Sequence, residues 1–154
     1  MKETGQPGTK HRLLPCREEI VYLDLLRTTD ILSRPFADLW KTEDVSPTQY
    51  NVLRILRGAR DGLTCSEIGA RMITRDPDIT RLLDRLEKRN LISRSRETKD
   101  RRVVLTRIEP EGLELLARLD EQVRDLHKQS LGHLGRDRLK TLTGLLEVIR
   151  TGPL

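Results

Sequence analysis

The 154-residue chain has few aromatic residues, with one Phe, one Trp and two Tyr. Aromatic side chains are the platforms on which proteins stack the bases of single-stranded nucleic acid, so their scarcity argues against that mode of binding. The hydrophobic core must instead come from aliphatic residues, and the leucine-rich sequence favours helices. At this length the chain has room for one ordinary domain.

Cysteine and long apolar runs are also scarce. Cys16 and Cys65 are the only cysteines in the sequence, which excludes a disulfide framework and is typical of a reducing compartment. No stretch approaches the roughly 18 apolar residues of a membrane span, and the N-terminal segment lacks the apolar run of a secretory signal. We expect a cytoplasmic protein in which residues 1–16 are disordered or frayed.

Sequence motifs of enzymes and metal sites are missing as well. The chain contains no nucleophile elbow, P-loop, HExxH motif or glycine-rich phosphate cradle. His11, His127 and His133 do not form a metal-ligand spacing with the cysteines or with one another. We therefore expect no catalytic activity, no metal and no cofactor, and we interpret the last two histidines as polar residues at a subunit surface.

The chain does carry charge, and the positive charge is concentrated in one segment. Charged residues make up 34% of the sequence, and the formal net charge is +5. Residues 71–107 contain twelve Lys and Arg against six Asp and Glu, so this segment carries +6 and the remainder carries −1. A basic segment of this kind favours a nucleic acid or another anionic partner.

The first half of the chain predicts two helices. Apolar residues recur at helical spacing over residues 18–40, and Pro35 within this run predicts a kink or a break. Ser46 and Gln49 form a capping box with a proline at the first helical position. This pattern predicts a second helix over about residues 47–60.

Two short capped helices follow. Thr64 and Glu67 form another capping box, and Asp76 with Pro77 predicts the start of the next helix. The apolar face of that helix follows the i, i+3, i+4, i+7 pattern, with Ile79, Leu82, Leu83 and Leu86. Two capped helices separated by a tight turn are typical of a helix-turn-helix.

The segments LISRSR and RRVVLTRI flank ETKD, which predicts a β-hairpin after Asn90. From Pro110 onward the leucine spacing predicts two further helices, separated by GHLG. A helix-turn-helix followed by a hairpin is the order of a winged helix. We therefore expect a mainly α fold with a small β-hairpin wing, flanked by N- and C-terminal helices.

The helix over residues 77–89 directs charged side chains away from its apolar face. Such a helix can enter the major groove of DNA, where Arg pairs with guanine and other cations neutralise phosphate. The outward-facing residues, together with Arg75 ahead of the helix, are Asp78, Arg81, Arg85 and Lys88. Exposed cations on a helix are also common without any DNA, since Asp78, Asp84 and Glu87 could pair with them.

The hairpin strengthens the DNA-binding interpretation. Five basic residues within residues 94–102 have no packing reason to be there, and arginine at a hairpin tip is suited to the narrow minor groove. These residues are Arg94, Arg96, Lys99, Arg101 and Arg102.

At this point the sequence resembles the MarR family of transcriptional regulators. The stretch DITRLLDRLEKRNLISRSRETKDRRVVLTRIEPEGLELL resembles that family's recognition helix, its transition to the wing, a wing bearing Asp-x-Arg, and a glycine-containing start of a long helix. The resemblance extends upstream through VSPTQYNVLRIL and covers roughly residues 18–150.

The resemblance implies roles for individual residues. The family's Asp-x-Arg motif falls on Asp100 and Arg102, where the Arg enters the minor groove and the Asp helps to hold the wing. Arg75 and Ser66 would lie near phosphate. Recognition-helix contacts would fall on Asp78, Thr80, Arg81 and Arg85.

The resemblance also implies that the protein is a homodimer that binds a pseudo-palindromic operator. It further implies a repressor, whose small-molecule effector binds between the dimerisation helices and the winged helix. Residues 17–45 and 110–152 would form the dimerisation helices, and residues 46–109 the DNA-binding region. The leucine content of the terminal helices exceeds what the winged helix could cover, which independently favours a partner surface. A monomer with those helices folded back is the alternative.

Three positions depart from the family pattern. Glu109 stands where the family usually has a threonine cap, and it is a poor N-cap. Asn90 replaces the usual glycine, although Asn also accepts a left-handed conformation. Pro35 interrupts a helix that is commonly continuous.

Two other functions remain open at the level of sequence. The basic wing of a winged helix could dock an acidic protein partner in place of DNA. Cys16 lies at the predicted start of a helix beside Arg17, where the pKa of a thiol can fall, so a thiol-based redox sensor is a second alternative.

Overall fold

The computed structural model describes residues 16–97 and 100–153. Of the segment predicted to be disordered or frayed, residues 1–16, only Cys16 lies within these ranges, as the N-cap of the first helix. His11 and the predicted DNA contact Lys99 lie outside them. The described residues form seven α-helices and two β-strands: α1 Arg17–Ser33, α2 Ala37–Thr42, α3 Pro47–Arg57, α4 Cys65–Arg71, α5 Ile79–Lys88, β1 Ile92–Arg96, β2 Val104–Ile108, α6 Pro110–Leu131 and α7 Gly135–Thr151.

The chain divides into two compact units, the first ending at Arg34 and the second spanning Pro35–Leu154. In the first unit the N-cap of α1 is Cys16, whose sulfur accepts a hydrogen bond from the Glu19 amide (3.4 Å). None of the residues of α1 is buried. Its large exposed apolar side chains are Ile20, Val21, Tyr22, Leu23, Leu26 and Ile31.

The predicted break at Pro35 is confirmed. A 3₁₀ turn over Arg34–Phe36 separates α1 from α2. Proline has no amide hydrogen to donate to the preceding turn, and its ring clashes with the carbonyl four residues earlier. The α-helix therefore ends before it.

Both predicted capping boxes are present. The Ser46 hydroxyl accepts from the Gln49 amide (3.1 Å), and the Gln49 side chain accepts from the Ser46 amide (2.9 Å). Thr64 and Glu67 make the equivalent pair at the start of α4. The predicted end of α3 near residue 60 was three residues too late, because the chain turns at Gly58.

The predicted N-cap of α5 was wrong. The helix starts at Ile79 and not at Pro77, and its N-cap Asp78 makes no side-chain capping bond. Asp76 instead accepts a hydrogen bond from the Asp78 amide (2.8 Å), which closes a local turn ahead of the helix.

The two strands form the predicted antiparallel hairpin, paired from Ile92 with Ile108 to Arg96 with Val104. Leu63 extends this hairpin by one bridge to the buried Thr106, with two backbone hydrogen bonds of 3.0 and 2.7 Å. The bridge ties the base of the hairpin to the segment that leads into α4.

The core lies in the second unit and is mostly aliphatic. Leucines and isoleucines from α3, α4 and α5 pack with β1 and the first half of α6. The fully buried side chains include Val52, Leu53, Leu56, Ile68, Leu83, Leu86, Ile92, Thr106, Leu116 and Leu119. Burial of these residues fixes which face of each helix points to solvent.

Three junctions in the second unit follow the sequence expectations. Asn90 adopts a left-handed conformation with φ of 56°, as expected for the residue in the glycine position. Glu109 precedes α6 and makes no side-chain capping bond. The predicted break in GHLG is a 3₁₀ turn over Gly132–Leu134.

The last helix, α7, has no buried residue. Its large exposed apolar side chains are Leu142, Leu145, Val148 and Ile149. Within residues 16–97 and 100–153, no helix combines the length and the apolar character that crossing a membrane requires.

Candidate DNA-binding site

Helix α5 presents a polar, mainly cationic surface because its apolar residues are used by the core. Leu82, Leu83 and Leu86 are buried. The exposed side chains are Thr80, Arg81, Arg85 and Lys88. Arg81 lies 3.2 Å from the carboxylate of Asp78, and both side chains remain accessible, at 76% and 47%.

The two other acids of α5 pair with the hairpin. Arg94 Nη2 lies 2.6 Å from Asp84 Oδ1, and Arg94 Nε donates to Glu87 Oε2 at 2.9 Å. This hydrogen bond lowers the pKa of Glu87 and raises the pKa of Arg94. Over the described ranges, Arg85 and Lys88 have no ion pair with these or other acids. Arg85 and Lys88 are therefore left available to an external anion.

The wing carries its cations toward solvent. Arg96, Arg101 and Arg102 are exposed. Asp100 Oδ1 accepts a hydrogen bond from the Arg102 amide (2.9 Å), and the Val103 amide donates to the Asp100 carbonyl (3.0 Å). Asp100 therefore holds the backbone at the point from which Arg102 projects.

Ser66 and Arg75, the expected phosphate contacts, lie ahead of α5. Ser66 is exposed in the first turn of α4, and Arg75 is exposed in the turn between α4 and α5. The side chain of Asn51 in α3 accepts from the Ile73 amide (3.0 Å), which fixes this turn to α3.

The structure gives Arg94 partners that the sequence did not indicate. Its side chain is 28% exposed and contacts two carboxylates, whereas the sequence placed it among the wing residues that face DNA. Arg89 is also engaged by residues far away in the sequence, since its guanidinium donates to the carbonyls of Asp44 and Glu43. Neither contact has a signal in the sequence, because the partners are set by tertiary packing.

A cavity of about 630 Å³ lies within the second unit, between α3, α6 and the start of α7. Its lining combines apolar side chains with Tyr50 and several charged groups, among them Arg54, Arg124 and Lys128. Arg54 lies over the Tyr50 ring (5.7 Å to its centroid), and burial raises the pKa of Tyr50. The family resemblance implied an effector site between the dimerisation helices and the winged helix. The sequence did not indicate which residues line this cavity, because three separate helices supply its walls.

His127 also lines the cavity, and its ring packs against Phe36, with 4.9 Å between centroids. His133 lies in the 3₁₀ turn ahead of α7. Cys16 is exposed, whereas Cys65 packs partly against the core. Among the residues that the structure describes, no three His, Cys, Asp or Glu side chains are grouped so as to hold a metal ion.

Comparisons with known proteins agree with the winged-helix arrangement. The sequence model of the MarR family matches residues 45–104, which include α3, α4, α5 and β1. The chain is 41% identical over 70 residues to the HTH-type transcriptional repressor MdtR of Bacillus subtilis, a match that covers 46% of this chain and 44% of MdtR.

Solved structures extend the similarity along the chain. A MarR transcription factor from Planctomyces limnophilus is 39% identical, with 89% of this chain and 99% of that chain covered and a TM-score of 0.66. The transcriptional repressor CouR, solved bound to a 23-mer DNA duplex, is 26% identical, with coverage of 88% and 92% and a TM-score of 0.71. These matches confirm the predicted fold class and the resemblance drawn from the sequence: the chain belongs to the MarR family.

Proposed function

We propose that the protein is a sequence-specific, double-stranded-DNA-binding transcriptional regulator, and that it acts as a repressor released by a small ligand. The observation that carries the proposal is the surface formed by α5 and the wing. There, Arg81, Arg85, Lys88 and Arg102 are exposed. Two acids that could have neutralised them are occupied by Arg94.

In this proposal α5 lies in the major groove. Arg81 and Arg85 read base edges, since Arg can pair bidentately with guanine. Asp78 and Thr80 lie beside them at the start of the helix. Ser66 and Arg75, on the segments that precede α5, contact phosphate, as the family resemblance implies.

The wing lies along the adjacent minor groove. Arg102 enters the groove, and Asp100 holds its backbone in place (2.9 Å). Arg96, Lys99 and Arg101 contribute charge toward the phosphates. An arginine in a narrow minor groove is favoured by the enhanced negative potential there.

A homodimer supplies two such surfaces to a pseudo-palindromic site. Both α1 and α7 carry exposed apolar side chains and no buried residue, which is the pattern expected of surfaces that pack on a partner. We assign residues 17–45 and 110–152 to dimerisation and residues 46–109 to DNA binding. The isologous contact then sets the spacing of the two recognition helices.

The cavity beside α6 is the proposed effector site. Its walls are mainly apolar, and Arg54, Arg124 and Lys128 bring cationic groups to them. The carboxylate of Asp120 also lines the cavity, and it is paired with Arg57 (2.6 Å). This combination is suited to a small apolar molecule that carries an acidic group. Because α6 runs from the base of the wing to this cavity, an effector there could alter the DNA-binding surface.

Selection of bound duplexes from a random pool tests the proposal most directly. We expect the retained sequences to contain two symmetric half-sites. Binding should weaken steeply with salt, with a slope of roughly −0.9 per phosphate contact in a plot of log affinity against log salt concentration. Arg85→Gln provides a matched variant that should bind with a shallower slope or with relaxed sequence preference. If no duplex of any sequence is retained at low salt, the proposal fails.

A further inference from the structure

We propose that Arg94 is a positioning residue for DNA binding, which fixes the wing to α5 through Asp84 and Glu87 and does not itself bind phosphate. The inference rests on the proposed function and concerns the same DNA-binding surface. It separates Arg94 from the other basic residues of the hairpin, among which the sequence placed it.

Arg94 is the central residue of β1, opposite Thr106 in the hairpin register. Thr106 is buried and shares two backbone hydrogen bonds with Leu63, so one side of the hairpin base is anchored ahead of α4. Arg94 supplies a second link, from the hairpin to α5. Two links to different elements fix the orientation of the wing relative to the recognition helix.

The hydrogen bonds of Arg94 make it a poor phosphate ligand. Its Nε and Nη2 atoms are both engaged with carboxylates, and Nη2 contacts Asp84 and Glu87 together. One cation beside two carboxylates leaves a local surplus of negative charge, which repels phosphate. A guanidinium in such a fork also holds a defined geometry, which a positioning role requires.

Arg96 is the natural comparison, because residues two apart on a strand point to the same side. Its side chain is exposed, and over residues 16–97 and 100–153 it has no ion pair. Arg94 and Arg96 therefore lie on the same strand, point to the same side and carry the same charge. They differ in that Arg94 is paired with carboxylates.

The variant Glu87→Gln separates positioning from phosphate binding by the sign of its effect. It removes a negative charge near the DNA and loosens Arg94. If Arg94 bound phosphate, both changes would tighten binding. If Arg94 positions the wing, loosening it misaligns Arg102 with respect to α5, and specific binding weakens despite the more favourable charge.

The experiment measures affinity as a function of salt for a duplex selected by the wild-type protein and for a random-sequence duplex. We expect Glu87→Gln and Arg94→Gln each to weaken the selected duplex about five- to tenfold, with an unchanged salt slope. Adding Glu87→Gln to Arg94→Gln should cause no further loss. Arg96→Gln should weaken both duplexes and reduce the slope by about 0.9.

Thermal unfolding of each variant identifies any that fails to fold. If Glu87→Gln does not fold, Asp84→Asn takes its place. Tighter binding by the carboxylate variant, or a slope reduced as much by Arg94→Gln as by Arg96→Gln, would overturn the inference and leave the proposed regulator intact. A wild-type protein that retains no duplex would overturn the proposed function and the inference together.

Discussion

At the scale of single residues, Arg102 is the side chain on which the wing most depends. It is exposed, and its backbone amide is held by Asp100. We expect Arg102→Ala to weaken operator binding by roughly 1–3 kcal/mol, the scale of one specific base contact, because the guanidinium is lost from the minor groove. Titration of a labelled operator duplex measures this change.

The fold should be unaffected by that substitution, since the truncated side chain is not part of the core. Arg136→Ala, on α7, makes the same change of charge outside the winged helix and should leave DNA affinity nearly unchanged. Equal affinities of wild type and Arg102→Ala would remove Arg102 from the DNA contact and point to Arg101 in its place.

At the scale of elements, the fold depends on a close approach between α6 and the base of the wing. A Cβ atom on Gly112 would lie 2.3 Å from the Leu91 carbonyl oxygen and 2.8 Å from Ile108 Cγ1. The Leu91 oxygen also accepts a hydrogen bond from the Glu109 amide (3.0 Å), so it cannot move freely. This contact explains why a glycine stands in the first turn of α6.

We expect Gly112→Ala to lower the free energy of unfolding by about 1–3 kcal/mol, because the added methyl group overfills a closely packed junction. Denaturant unfolding monitored by circular dichroism measures the loss. At Gly58, an added Cβ would meet its nearest neighbour at 3.5 Å, so Gly58→Ala serves as the control and should change stability by less than about 0.5 kcal/mol. Equal unfolding midpoints for the two variants would contradict a tight junction.

Signals that are complete within a few residues allowed most elements to be predicted from the sequence. The capping boxes at Ser46 and Thr64 each involve four consecutive residues, and both were predicted correctly. The start of α5 was predicted incorrectly, because Asp76 and Asp78 both resemble N-caps. The preceding turn is held by Asn51, 22 residues before the amide of Ile73 that it binds, and no local pattern reveals that contact.

The distinction between local sequence signals and tertiary contacts applies to the candidate site as well. The outward direction of Arg81 and Arg85 follows from the apolar spacing of α5, so it could be predicted. The partners of Arg94 could not, because they depend on how the hairpin packs against α5. The family resemblance implied a site between the dimerisation helices and the winged helix, but it did not give the residues that line the cavity, since Tyr50 and His127 come from helices far apart in the sequence.

At the scale of the whole molecule, α7 presents apolar side chains that nothing in its own unit covers. Leu145 is 59% exposed and Val148 is 67% exposed. Exposing side chains of this size to water is unfavourable, by about 25 cal/mol for each Å² of apolar surface. A second copy of the chain, packed against this face, would remove that surface from water and bring two recognition helices to the same duplex.

We therefore expect the double variant Leu145→Asp and Val148→Asp to shift the protein from dimer to monomer, because the interface would then have to desolvate two carboxylates. Sedimentation velocity measures the mass, and the same samples should lose most of their affinity for a two-half-site operator, since a monomer contacts one half-site. Thr143→Asp adds a carboxylate to the opposite side of α7 and should remain dimeric. A monomeric wild-type protein that binds the operator as a single copy would contradict the assembly. So would a double variant that keeps both its mass and its affinity.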